Sequence, residues 1–163
     1  MPALIVSDIH GSEKGMKLCE KAIARFSPDL VLSAGDQCPD PFYSAFYSNL
    51  VCVRGNCDRF YDYGSMSFPP LSREERIYGR RVVMTHGDRL WMDDFSLSAG
   101  DIFVSGHTHV PELYQDKNGI IALNPGSPSR PRSSSGPTAA LLSSEGIAVF
   151  SLLSFKTLLS LSF

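Results

Sequence analysis

An α/β fold is what the sequence predicts, with a parallel portion of sheet toward the N-terminus and an antiparallel portion after it. Three observations carry this reading. Short apolar runs recur, each closed by a polar or glycine-rich cluster; one interval between them has helical periodicity; and from Glu112 onward the spacing shortens to that of successive hairpins.

The first run is Leu4-Ile5-Val6. Glu13 to Phe26 follows, with Met16, Leu18, Cys19, Ala22, Ile23 and Phe26 at helical spacing and Pro28 just beyond, which predicts a helix and its stop. Leu30-Val31-Leu32 completes a strand–helix–strand unit, so these two strands should be parallel. Leu50 to Val53, Val82-Val83-Met84 and Ile102-Phe103-Val104 are further runs of the kind buried on both faces. Then come Glu112-Leu113-Tyr114, a turn at Asp116 to Gly119, Ile120 to Leu123, Thr138 to Leu142, a turn at Ser144-Glu145-Gly146, Ile147 to Leu152 and a last run near Leu158 to Phe163, all read as antiparallel strands. Ile147, Val149, Leu153, Phe155, Leu159, Leu161 and Phe163 share odd parity, which predicts a half-buried hairpin at the end. Pro128 to Pro137, with Arg130, Arg132 and a serine cluster, reads as a mobile loop. Trp91, Met92 and Phe95 fit a helix face, a lid or an oligomer contact equally well.

With 163 residues, 43% of them hydrophobic and 20% charged, the chain suits one domain over residues 1–163 with a sizeable core. Fifteen Lys plus Arg against 17 Asp plus Glu leave a net charge of −2, without the basic footprint of a general nucleic-acid binder. The start, Met1-Pro2-Ala3-Leu4, has neither the basic segment nor the apolar length of a secretory signal. The greasy stretch Gly146 to Phe163 is interrupted by Ser151, Ser154, Lys156, Thr157, Ser160 and Ser162, so no membrane span is expected. Cys19, Cys38, Cys52 and Cys57 form neither a disulfide framework nor a CxxC pair, which fits a reducing, cytoplasmic setting; a homo-oligomer stays open.

The chemistry clusters where the early strands end. Asp8-Ile9-His10, Gly35-Asp36, Gly55-Asn56-Cys57-Asp58, His86-Gly87-Asp88 and Gly106-His107-Thr108-His109 each follow one of the first five runs. In open α/β sheets ligands bind outside the carboxyl ends of the strands, so these segments can meet at one edge. All four histidines of the chain fall there, and none is used elsewhere. Asp8, His10, Asp36, Asn56, His86, His107 and His109 mix imidazole nitrogen, carboxylate and amide oxygen, too many donors for one tetrahedral zinc. Two divalent ions with Asp36 as the shared ligand fit better. Such a pair activates water and neutralises phosphoryl oxygens, so phosphate ester hydrolysis is the expected reaction.

D-x-H, G-D, G-N-x-D, H and G-H-x-H, in that order from Asp8 to His109, resemble the calcineurin-like metallophosphoesterases. With Asn124-Pro125-Gly126-Ser127 and the terminal strands, the chain is most similar to their small prokaryotic YfcE-type phosphodiesterase branch. The resemblance implies a four-layer α/β/β/α sandwich of two mixed sheets flanked by helices. It also implies that Asp8, His10, Asp36 and His109 hold one ion while Asp36, Asn56, His86 and His107 hold the other. Manganese is the expected metal, with Ni, Fe, Co or Zn as substitutes. The expected reaction is attack of a metal-bridging hydroxide on a small phosphodiester, with Asp36, Asn56, Cys57 and Asp58 in the catalytic group.

Cys57 stands where most of the superfamily carries a histidine that serves the leaving group. A thiol is a weak donor, so either the ions do more or the leaving group is already a good one; a small polar filler is the plainer alternative. Asp58 has lost that histidine as its partner and is free to cap the next turn. The short segment from Asp36 to Asn56 implies an open cleft. Asn56, Gly126, Ser127, Arg130 and Arg132 are the expected substrate-binding residues, Asn56 because the resemblance implies that it also faces a phosphate oxygen and the arginines because guanidinium matches phosphate oxygens. Two other readings keep the fold: a phosphomonoesterase with the same centre, and an inert protein-binding scaffold like the related retromer subunit, whose metal positions are degenerate. A nuclease is disfavoured because no basic stripe or aromatic platform accompanies the motifs.

Overall fold

The computed structural model describes residues 2–39 and 50–163. Two mixed sheets face each other. β1 (Ala3–Val6), β2 (Leu30–Ser33), β3 (Leu50–Cys52), β9 (Thr138–Leu142), β10 (Gly146–Ser151) and β11 (Thr157–Ser162) form the first, in the order β11-β10-β9-β1-β2-β3. β4 (Ser72–Ile77), β5 (Arg80–Thr85), β6 (Ile102–Val104), β7 (Pro111–Gln115) and β8 (Ile121–Pro125) form the second, in the order β4-β5-β6-β8-β7. β1 pairs in parallel with β2, β2 with β3 and β5 with β6, as the early runs predict; β8, expected among the antiparallel strands, also pairs in parallel with β6 while pairing antiparallel with β7, and the remaining pairs are antiparallel.

Side-chain alternation divides the core. Ala3 and Ile5 of β1, Leu32 of β2, Val82 and Met84 of β5, Ile102 and Val104 of β6 and Ile121 and Leu123 of β8 meet between the sheets. Leu4 and Val6 point the other way, onto α1 (Glu13–Phe26), whose Met16, Leu18, Cys19 and Ala22 cover them. Ser12 caps α1 by accepting the Gly15 N–H at 3.1 Å, and Ser27 ends it in the left-handed conformation directly before Pro28. Among the described residues α1 is the one α-helix. The outer face of the second sheet carries instead the short 3-10 turn Met92–Asp94, with Trp91 and Met92 over Phe103, Tyr114 and Ala122.

The structure corrects two expectations. The terminal hairpin β10–β11 forms, but its apolar face is not continuous. The register shifts between Val149 and Phe150, and Phe155 adopts a left-handed backbone in the connecting turn. Leu153 is therefore 65% exposed, and Phe155 joins Phe26 and Phe150 on the helix side of the sheet. Second, the Pro128 to Pro137 loop is tied down at its start, for reasons that belong to the site below. The cleft expected from the short Asp36–Asn56 segment falls on residues 40–49, which lie outside the described residues. No helix among the described residues is long and apolar enough to cross a membrane.

Candidate metal centre

The parallel strands deliver all five motifs to one edge. Asp8 and His10 follow β1, Asp36 follows β2, Asn56 to Asp58 follow β3, His86 follows β5, and His107 and His109 follow β6. The exits are laced together: the Asp8 N–H donates to Gly35 O (3.0 Å), that of His10 to Asp36 O (2.8 Å) and that of Gly106 to His86 O (3.0 Å). Asp8, His10, Asp36, His107 and His109 all have positive φ, between 50° and 67°, a conformation that L-residues seldom adopt. A site at which so many non-glycine residues are held this way stores strain that the surrounding fold must offset.

The side chains converge. His109 Nε2 lies 3.1 Å from Asp8 Oδ1 and 3.3 Å from His10 Nε2. Asp36 Oδ2 lies 3.7 Å from His10 Nε2 and 3.4 Å from His86 Nε2, and His86 Nε2 is 3.9 Å from Asp8 Oδ1. The His86 and His107 rings are 5.2 Å apart, and His107 Nδ1 is 3.1 Å from Asn56 Oδ1. The structure thus brings all seven expected ligands into one ring.

Two of the imidazoles turn Nε2 toward the centre. His86 Nδ1 donates to Ala34 O (2.8 Å) and His109 Nδ1 to Arg130 O (2.7 Å); a carbonyl only accepts, so the proton sits on Nδ1 and Nε2 is left for the centre. Asp8 Oδ1 and His86 Nε2 are buried without a hydrogen-bond partner. Unpaired buried polar atoms are costly, and convergent acceptors repel one another unless a cation lies among them. The donor set therefore fits divalent metal: Asp8, His10 and His109 form one compact group, and Asp8, Asp36 and His86 another.

Charge is unevenly spread round the ring. Burial, opposed by Asp36 and reinforced by the Arg130 guanidinium, pushes the His10 imidazole down to about 4. Burial also pulls on His86, but the carboxylates of Asp36 and Asp8 outweigh it and hold that imidazole up at about 9. Burial would raise Asp36; His86 and the Cys57 N–H reverse this and hold it at about 2. In ion-free protein the stabilisation from the raised His86 is fully present below its ordinary value of 6.5 and is lost as pH rises through about 9. Melting temperatures of chelator-treated protein should therefore fall from about pH 7 to about pH 10, and His86→Ala should flatten that slope.

The supporting residues are mostly ones the sequence did not single out. Ser7 Oγ donates to Asp8 Oδ2 (2.7 Å), and Ser127 Oγ and Ser129 Oγ both donate to Asp8 O (2.8 and 3.0 Å). Ser127 Oγ in turn accepts the Arg130 N–H at 2.9 Å. Ser127 is fully buried, and Gly126 is buried with its φ at 74° where a Cβ would strike Thr138. Burial keeps both from the substrate contact expected of them; Ser127 holds Asp8 from behind, and the Gly126 N–H donates to Asn124 Oδ1 at 2.9 Å. Arg130 and Arg132 are exposed, and the Arg132 N–H donates to His109 O (3.2 Å).

Asp58 spends its carboxylate on four donors: the N–H groups of Asp36 (2.8 Å), Gly55 (2.8 Å) and Cys38 (2.7 Å) and the Tyr63 hydroxyl (3.0 Å). It knits the β2 and β3 exits together. Gly55 is needed for close approach, since a Cβ there would lie 2.2 Å from Asp36 Oδ1 and 2.7 Å from the His86 ring. Asp88 pairs with Arg89 at 3.3 Å, and all four cysteines are free thiols.

Residues 1–146 match the model of the calcineurin-like phosphoesterase superfamily domain. The chain belongs to that superfamily. It is 31% identical over 138 positions to the "Probable metallophosphoesterase" of Methanothermobacter thermautotrophicus, covering 78% of this chain and 77% of the relative. It is 28% identical over 171 positions to the phosphodiesterase YfcE of Escherichia coli, covering 93% and 92% of the two chains. The solved structure of the E. coli phosphoesterase superposes with a TM-score of 0.88 at 24% identity over 99% of both chains. The fold is also that of Vps29 from Cryptosporidium parvum, with a TM-score of 0.70 at 22% identity over 99% of this chain and 98% of the other. The two mixed sheets with few helices are therefore the metallophosphoesterase fold, as the motifs implied.

Proposed function

We propose that this superfamily member is a dinuclear metal-dependent phosphodiesterase acting on a small phosphodiester. One observation supports the reading above others: buried, unpartnered Asp8 Oδ1 and His86 Nε2 face each other across a ring in which Asp8, Asp36 and His10 each belong to two of three overlapping donor groups, the third being His10, Asp36 and Cys57. Asp8, His10, Asp36 and His109 would hold one ion, and Asp36, Asn56, His86 and His107 the other, with manganese the ion to load first. Bound there, divalent cations supply Lewis acidity that activates water and neutralises charge on the phosphoryl oxygens.

The chain's own residues prepare that chemistry. Ala34 O and Arg130 O hold Nδ1 of His86 and of His109, so both rings are already turned with Nε2 toward the centre, and His86 would give up its second proton on metal binding. Asp58 holds Asp36, Gly55 and Cys38 by their backbones. Asn56 is exposed at the rim, where its amide N–H would meet a phosphate oxygen of a bound diester. The Arg130 charge is felt by both His10 and Cys57, which puts it at the mouth as a partner for the diester anion. Arg132 lies one step farther out, its backbone committed to His109.

Arg130→Ala is expected to raise KM for a diester about tenfold with kcat nearly unchanged, since it removes binding common to ground and transition states. Arg132→Ala should change KM less. Steady-state rates with an aryl phosphodiester check both. The function as a whole is tested by metal analysis and an ester panel on one preparation. About two ions per chain with diester hydrolysis is the expected result. A strong monoester preference would reassign the substrate, and no hydrolysis across the panel with tight binding to a protein partner would favour a scaffold.

A further inference from the structure

Cys57 is the member of the ring to which that ligand assignment gives no task. Its backbone N–H donates to Asp36 Oδ1 at 2.8 Å, which sets the side chain beside the shared carboxylate. Its sulfur, a nitrogen of His10 and a carboxylate oxygen of Asp36 all lie within 4.8 Å of one another. Asn56 Nδ2 aims an N–H at the sulfur from 3.3 Å, so the sulfur is already an acceptor. Independently of the thiol, Asp8 Oδ1 and His86 Nε2 lie buried and unpartnered beside the same Asp36 and form with it an adjoining donor group that a cation would satisfy. Cys19 is the contrast: it is equally a free thiol, but it is buried in the cluster of Leu4, Met16 and Ala22 and belongs to none of the converging donor groups among the described residues.

We infer that Cys57 is itself a metal ligand, its thiolate joining His10 and Asp36 around a divalent cation on the His10 side of the centre. The inference rests on the metal-centre reading above. On ligation the S–H proton leaves to solvent and a sulfur lone pair is donated to the cation, with no change of oxidation state. Soft thiolate favours cobalt(II), zinc and iron(II) over manganese. The side built from Asn56, His86 and His107 has only nitrogen and oxygen donors, so the two positions differ in the ions they prefer.

The test is titration of the chelator-stripped full chain with cobalt(II) under argon, followed by absorption. Weak visible bands report cobalt bound at the centre; a strong near-ultraviolet band reports charge transfer from thiolate sulfur. Both are expected in the parent chain. Cys57→Ser and Cys57→Ala should lose the near-ultraviolet band and keep the visible ones, whereas Cys38→Ser should keep both. Visible bands without the sulfur band in the parent, or a sulfur band that survives in Cys57→Ser, would overturn the ligand and leave the metal centre standing. No cobalt bands at all would overturn the metal centre, and this inference with it. In parallel, Cys57→Ser should weaken zinc binding about tenfold or more and manganese binding less; equal losses for the two ions would also count against a thiolate ligand.

Discussion

Asp36→Asn should lower phosphodiester turnover by roughly three orders of magnitude or more while the fold persists. The substitution is nearly isosteric, and Asn is among the few residues that accept the left-handed backbone found here at φ 50°. Its side-chain oxygen can still accept the Cys57 N–H that Asp36 Oδ1 accepts at 2.8 Å, and its backbone N–H still reaches Asp58. What disappears is the negative charge between His10 and His86, on which both proposed ion positions depend. Circular dichroism should show the parent's cooperative melt, and initial rates with added manganese should show the loss. Near-normal turnover in Asp36→Asn would remove Asp36 as the shared ligand.

His86→Ala should damage both activity and stability. The ring is 1% exposed, fills the space between Gly35 and Gly55, and places its imidazole against two carboxylates. Removing it opens a cavity and leaves Asp36 and Asp8 without their cationic neighbour, the kind of loss that costs about 3–5 kcal/mol. Turnover should fall at least as far as in Asp36→Asn. Ions should restore part of the lost stability, because a divalent cation supplies the positive charge that the imidazole no longer can. Melting with and without manganese checks this. An unchanged melting temperature in ion-free protein would mean that His86 contributes nothing to the fold.

How much of this was legible before the coordinates depended on where the information lies. β1, α1 and β2 could be read because Leu4-Ile5-Val6, Leu30-Val31-Leu32 and the Met16–Phe26 stripe are buried on defined faces. β4 could not. Ser72–Ile77 is a charged edge strand whose one fully buried apolar residue is Ile77, and its signal was the Tyr78-Gly79 turn, both residues at positive φ, rather than any apolar run. The tail was misread because a register shift at Val149/Phe150 breaks the two-residue period that Ile147, Val149, Leu153 and Phe155 suggest in the sequence. The seven ring residues were legible because their functional groups are side chains at strand ends. Their supports were not, because Ala34 and Arg130 act through backbone carbonyls, which any residue possesses.

The segment from Ser127 to Arg130 has one further consequence. Its hydroxyls grip the Asp8 carbonyl from below, the Arg130 carbonyl sets the His109 proton, and the exposed Arg130 side chain brings its charge close enough to act on His10. Floor and doorway are thus one piece of chain. Under the proposed function, a change made there to admit a different ester would also disturb how firmly ions are gripped, which ties acceptance and loading to one segment.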